Sequence, residues 1–327
     1  MTITATPNGV SIPGYGTASR PSMAKVDAST IWFMFGHRRF TLPVLDIDGV
    51  NSTVYTGDQT ADDVIADILA GVNTVPGPTF TAEYQAILDF ATAQGYALPS
   101  AATQTAHNTF VASLKSANLW GEFDLLNIYY GDMTQDFARI NWANPVVGSL
   151  ATLVNSPTYT NMRGFNSNGS SSYILTGFNP SAGTNYTLND AACGFFGYND
   201  IASNRIFGSA SAGGQILITG NTGAAAQARI NSLTTSSFTV SSNDGLIGGS
   251  RTDANTVSLY RNATTLGIDP ANASTVLPTT LMVLSSGSGF APNKWQVQAS
   301  FAGSSALYSD GGTAMSSAFN TLMSTSL

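Results

Sequence analysis

The chain has 327 residues, a net charge of −7 and only 9% charged side chains, against about 25% in an ordinary soluble protein. Solubility therefore falls to Ser, Thr, Asn and Gly. The acidic balance argues against nucleic acid as a partner, because phosphate binding needs a clustered basic face. A content of 43% hydrophobic and 10% aromatic residues calls for packed domains, and the length allows two or three of them.

Residues 1–57 show no helical periodicity. The start has neither a basic segment nor a continuous apolar run, so no secretion signal is expected. No stretch reaches the roughly 18 to 20 apolar residues that cross a bilayer, so membrane insertion is not expected. A lead rich in Gly, Pro and Ser (Pro7 to Pro21) runs into Ile31–Gly36 and Arg38–Leu45, read as two strands around a turn at Gly36 and His37. Arg38-Arg39, the only tight basic pair, reads as a solvated turn or an interface ion pair. Asp46-Ile47-Asp48-Gly49 lacks the later ligands of a calcium loop and reads as an Asp-Gly turn.

Residues 58–124 change to a helical pattern and read as a small helical domain. Thr60 precedes Ala61-Asp62-Asp63, with Val64, Ile65, Ile68 and Leu69 on one side up to Gly71. Thr81 then caps a helix with Tyr84, Ile87, Leu88 and Ala91 on one face, stopped by Gly95. A third helix follows Pro99-Ser100 and carries Phe110, Val111 and Leu114.

Residues 125–327 read as a β-sandwich. Apolar runs recur at Ile140–Trp142, Tyr173–Leu175, Gly194–Tyr198, Gln215–Thr219, Phe238–Val240, Val257–Tyr260, Leu281–Leu284 and Gln296–Phe301. Turn clusters such as Asn243-Asp244-Gly245 separate them, which fits eight or more short antiparallel strands. Alternation puts Val257 and Leu259 on one face of their strand, with Ser258 and Tyr260 opposite. The stretches Gly245–Ser250 and Ser211–Gly214 lack the Gly-Lys-Ser/Thr ending of a phosphate loop and read as strand edges and corners. Cys193 stands alone in an apolar run and reads as a buried small hydrophobe. A short helix, Ala314 to Met323, closes the chain with Met315, Phe319, Leu322 and Met323 on one side.

Between Arg139 and Pro180 the order of motifs is distinctive. Ile140-Asn141-Trp142-Ala143-Asn144-Pro145 is followed by Leu153-Val154-Asn155-Ser156-Pro157-Thr158, then Arg163-Gly164-Phe165, Asn168-Gly169, Ser172-Tyr173 and Thr176-Gly177-Phe178-Asn179-Pro180. This order resembles the opening of the concanavalin A-like (laminin-G-like) jelly-roll domain of tailed-bacteriophage and prophage virion proteins. Leu114-Lys115-Ser116-Ala117-Asn118-Leu119-Trp120 is similar to a run that precedes the sandwich in that group. Thr256–Asn262 resembles its strand-and-hairpin element, with Ala263 where Gly is expected. The resemblance covers roughly residues 100–327.

The resemblance implies a mainly β chain: a concanavalin A-like jelly roll over residues 125–327, preceded by the helical segment and a β-rich attachment region. It implies a non-enzymatic virion structural protein, of head-fibre, spike, decoration or tail-fibre type, displaying a lectin-like sandwich toward host-surface polysaccharide. The expected partners are other virion proteins through the N-terminal region and identical subunits, three by analogy with fibres. The expected place is the virion, assembled in the host cytoplasm, and no cofactor is expected.

The residues themselves offer little for catalysis. Glycoside hydrolysis uses two carboxylates, and the nearest pair, Glu122-Phe123-Asp124, lies ahead of the expected sandwich; residues 125–327 contain no Glu. Asp200, Asp244 and Asp310 sit in turn-like sequence, where they bond local amides. His37 and His107 are the only histidines, with no Gly-x-Ser-x-Gly elbow and no zinc-ligand spacing. No catalytic or metal site is expected. For glycan binding the candidates are Tyr198, Asn199, Asp200 and Arg205 together, with Tyr260 and Trp295. The competing reading packs Tyr260 and Trp295 into the sandwich or a subunit contact. A depolymerase on the same fold and a ligand-free capsid decoration are the rival functions.

Overall fold

The computed structural model of the chain falls into two compact units, residues 1–79 and 80–327. The structure describes six strands in the first unit by their backbone, and then residues 80–198, 205–209, 216–220, 225–239, 244–285 and 296–324. In the first unit β1 (Thr4–Thr6), β2 (Gly9–Ile12) and β3 (Gly16–Ala18) form one antiparallel meander. β4 (Met23–Val26), β5 (Thr30–Phe35) and β6 (Arg38–Pro43) form another, with Phe35 opposite Arg38 as the expected hairpin requires. The turn at Gly36 and His37, the Asp46–Gly49 turn and the helix expected after Thr60 lie outside the described residues.

The second unit opens with two helices whose ends follow from their caps. The hydroxyl of Thr81 accepts the N–H of Tyr84 at 3.3 Å and starts α1 (Ala82–Ala93); that of Ser100 accepts the N–H of Thr103 and starts α2 (Ala101–Ser116). Tyr84, Ile87, Leu88 and Ala91 of α1 and His107, Phe110, Val111 and Leu114 of α2 are buried. Helices this short do not stand alone in water. They share one hydrophobic core with the sheets that follow, within the unit of residues 80–327.

The strands continue as β7 (Phe123–Ile128), β8 (Thr152–Val154), β9 (Thr158–Thr160), β10 (Gly164–Asn166), β11 (Tyr173–Leu175), β12 (Ala191–Tyr198) and β13 (Arg205–Gly208). Then come β14 (Ile216–Gly220), β15 (Ala225–Ile230), β16 (Ser236–Thr239), β17 (Gly245–Arg251), β18 (Val257–Arg261), β19 (Thr264–Asp269), β20 (Met282–Val283) and β21 (Gln296–Gly303). They make two antiparallel sheets. The first runs β19-β18-β17-β12-β21-β10-β9, with β7 on the same edge of β21 as β10; the second runs β16-β15-β14-β13-β20-β11-β8. Phe195 meets Phe207 between the sheets, at 6.1 Å between ring centres. This is a mainly β chain with a C-terminal jelly-roll-type sandwich.

A third layer covers the far side of the first sheet. Phe319 of α3 (Thr313–Ser324) stacks on Phe196 and contacts Phe301 and Phe110. The centre of the first sheet is thus buried on both faces, and β12, β17 and β21 carry apolar or small residues almost throughout. One cross-strand row reads Phe301, Gly194, Gly248, Tyr260. Tyr308 lies in the trough over its glycines and stacks on Tyr260 at 4.1 Å. A methyl at Gly248 would sit 2.2 Å from the Tyr308 hydroxyl, and one at Gly194 would sit 2.3 Å from the Ile247 carbonyl oxygen. Of the two Gly-rich stretches read as edges and corners, Gly245–Ser250 is therefore a central buried strand, because aromatic rings need its missing side chains, and Ser211–Gly214 lies outside the described residues.

Two further readings change. Ile140–Trp142 is no strand: the Trp142 N–H donates to the Leu126 carbonyl, but the Asn141 side chain takes the Leu126 N–H and that of Asn127 donates to the Ile140 carbonyl. Side-chain amides replace a ladder there. Strand β18 is buried on both faces, so its alternation separates two interiors and not core from solvent. Asn262, at φ 51°, supplies the left-handed residue of the β18–β19 turn ahead of Ala263.

Two buried polar side chains fasten the layers. Arg251 is fully buried, and its four hydrogen bonds go to carbonyl oxygens of Ile230, Asp253 and Asn272. His107 lies between the Tyr130 carbonyl, 2.9 Å from Nε2, and the Tyr84 hydroxyl, 3.2 Å from Nδ1. Nε2 therefore carries the proton and the ring is neutral. Burial lowers the His107 pKa to about 4, although the Tyr130 carbonyl and nearby Asp132 pull the other way.

The unfolded chain takes up this proton near pH 6.5 and the folded one only near 4. Stability is therefore complete above pH 6.5 and falls by up to about 3 kcal/mol as the pH drops toward 4. Urea midpoints across this range are expected to fall more steeply in the wild type than in His107→Gln; parallel curves would contradict the assignment. Gly194→Ala is expected to lower stability by about 2 kcal/mol or more. Gly121→Ala, whose methyl meets open space, is expected to change it by less than about 0.5 kcal/mol.

Candidate functional site

A cleft of about 460 Å³ opens between the start of β7, the loop from Asn141 to Ser149 and the loop from Gly177 to Asn185. The size suits a small ligand or a few sugar units. Asn141 ties the first loop to β7: its Oδ1 accepts from the Leu126 and Ala143 N–H groups, and its Nδ2 donates to the Asp124 carbonyl at 3.0 Å. The Ser149 hydroxyl closes that loop by bonding the Asn144 and Val146 carbonyls.

The second loop is held from two sides. Gly177, at φ 77°, comes so near the first loop that a methyl would lie 2.7 Å from the Leu150 carbonyl oxygen. Asp124 then fastens the loop's far end. Its Oδ1 accepts the Thr184 N–H at 3.2 Å, and its Oδ2 those of Asn185 at 2.9 Å and Tyr186 at 2.7 Å. Asn179 caps the 3-10 turn Pro180–Ala182 through Oδ1, which accepts the Ser181 N–H.

Several polar groups on the cleft keep bonding capacity. The Asn144 side chain is exposed and makes no hydrogen bond within the described residues, and Asn179 keeps its Nδ2. Asn185 donates Nδ2 to the Gly121 and Phe123 carbonyls and keeps its Oδ1. Phe178 is half-buried against the edge of Tyr186, and Val146 is 47% exposed on the rim. Neutral amides beside an aromatic edge are suited to hydroxyl-rich ligands.

The acids are engaged elsewhere. Asp124 is the one carboxylate among the residues lining the cleft. Glu122 ends a 3-10 turn and takes a hydrogen bond from the Ser304 hydroxyl. Asp310 accepts the N–H groups of Gly312, Thr313 and Ala314 at the start of α3, the local role expected of a turn acid. Among the described residues no three His, Cys, Asp or Glu side chains gather as a metal site, and no helix is long and apolar enough to cross a membrane.

Of the residues singled out for glycan binding, neither Tyr198 nor Tyr260 lines this cleft. Tyr198 ends β12, half-buried, with the Arg163 guanidinium 4.4 Å over its ring. Tyr260 lies two strands away and about 13 Å further along the sheet. It is 8% exposed and its face is covered by Tyr308. That corrects its place among the candidates: it packs between layers. Arg205 lies on β13 in the other sheet, and Asn199, Asp200 and Trp295 lie outside the described residues. The cleft itself was missed. Its signal was the pair of Asn-Pro corners, Asn144-Pro145 and Asn179-Pro180, which entered only as part of the motif order.

No family model matches the chain, and no curated protein matches it. Among solved structures, Trypanosoma rangeli sialidase aligns at 10% identity over 67% of this chain and 38% of its own, with a TM-score of 0.41. The receptor binding domain of botulinum neurotoxin C/D mosaic serotype aligns at 9% identity over 56% of this chain and 48% of its own, with a TM-score of 0.40. This chain thus spans about two fifths to one half of the proteins it aligns with. The description of the sandwich rests on its own strand pairing.

Proposed function

We propose that the sandwich is a non-catalytic, lectin-like module whose cleft binds glycans, carried by a virion structural protein of tailed-bacteriophage type. The observation that carries the binding reading is the cleft of neutral amides and backbone beside Phe178. A glycosidase of the usual kind sets two carboxylates about 5 to 9.5 Å apart across the bond. Here the cleft offers Asp124, which three backbone N–H groups already engage. The virion reading is supported by the motif order from Arg139 to Pro180 and by the uncharged polar composition. In this account residues 1–57 mount the chain on the particle beside other virion proteins. Identical subunits, three by analogy with fibres, present the cleft to host-surface polysaccharide, where several weak contacts add.

Asn144→Ala is the cleanest probe, since that side chain holds nothing else in place. It is expected to weaken glycan binding, measured by calorimetry, about 3- to 10-fold with an unchanged melting temperature. Unchanged binding would remove the cleft from the account. Release of reducing ends by the wild type, abolished in Glu122→Gln, would contradict the non-catalytic reading. Antibody to the chain is expected to label intact particles in electron micrographs, and particles without label would overturn the virion assignment.

A further inference from the structure

We infer that the cleft takes uncharged saccharides, neutral hexoses and N-acetylhexosamines, and turns away sugar acids. This rests on the reading of the cleft as a glycan site and adds the class of sugar. None of the lining residues is Lys, Arg or His. Arg139, two residues before the first cleft loop, is turned elsewhere: its Nε donates to the Ala151 carbonyl at 2.7 Å and its Nη1 meets Asp136 at 3.2 Å. A ligand carboxylate would therefore lose its hydration with no cation among the described lining residues to replace it.

It would also meet a fixed negative charge. Asp124 cannot swing aside without releasing the N–H groups of Thr184, Asn185 and Tyr186, which hold the second cleft loop. A methyl at Gly183 would lie 2.9 Å from Asp124 Oδ2, so the loop backbone closes over the carboxylate. The remaining groups suit hydroxyls and amides. Donors come from Asn144 and Asn179 and acceptors from Asn144 and Asn185, while a sugar hydroxyl both gives and takes a hydrogen bond. Val146 and the Phe178 edge offer apolar contact of the kind that an acetamido methyl or a pyranose face needs.

The test uses the full chain and matched oligosaccharides of one linkage, a neutral form and its uronic-acid counterpart, in calorimetric titrations. The neutral sugar is expected to bind about tenfold more tightly at low ionic strength, and the gap is expected to narrow in about 1 M salt. Asn144→Lys, at an exposed position that bonds nothing in the fold, is expected to close the gap by bringing the acid in. Equal or tighter binding of the acid by the wild type, lost in Asn144→Ala, would overturn this inference and leave the glycan reading standing. If neither sugar bound, and a glycan array gave no signal on the folded protein, the glycan reading would fall and this inference with it.

Discussion

The carboxylate of Asp124 does two things at once. By accepting the N–H groups of Thr184, Asn185 and Tyr186 it pins the second cleft loop to the first residues of β7. The same three bonds hold the carboxylate in place. It is also the one carboxylate among the residues lining the cleft. The shape of the cleft thus rests on this interaction, with Asn141 tying the first loop to β7 and Gly177 letting the second loop approach the first.

Behind the cleft the sandwich is made rigid in an unusual direction. Antiparallel sheets commonly leave one face wet, but here α3 covers the first sheet with α2 packed against it, and the second sheet packs beneath. The Phe301-Gly194-Gly248-Tyr260 row, filled by Tyr308, joins roof to sheet without a charge. Strand β7 is hydrogen-bonded to β21 in the middle of this stack, and Asp124 belongs to β7. The cleft wall is therefore anchored on a largely buried strand of the first sheet.

Much of the fold was legible. Thr81 and Ser100 announced two helices, and the i, i+3, i+4 spacing of Tyr84, Ile87, Leu88 and Ala91 named the buried face. Seven of the eight apolar runs coincide with strands, because those segments alternate or are continuously apolar between turn residues. The misses have physical causes. Ile140–Trp142 is apolar enough for a strand, yet Asn141 takes over the ladder bond through its side chain. Strand β17 is central but written largely in glycine, since its neighbours supply the rings.

The site was less legible than the fold. Composition pointed to neutral polar side chains, and amides do line the cleft, but not to where they converge. Tyr260 looked like a loop aromatic beside an amide, and only the three-layer stack explains its burial. The cleft depends on two Asn-Pro corners and a strand acid that lie far apart along the chain and meet through Asn141, Gly177 and Asp124.

The most direct measurement follows amide resonances by NMR while a neutral oligosaccharide is titrated in. The account expects the side-chain NH₂ signals of Asn144 and Asn179 and the backbone signals from Gly177 to Asn185 to move together and saturate. Shifts gathered instead around Tyr198 and Arg163, with those signals still, would contradict it.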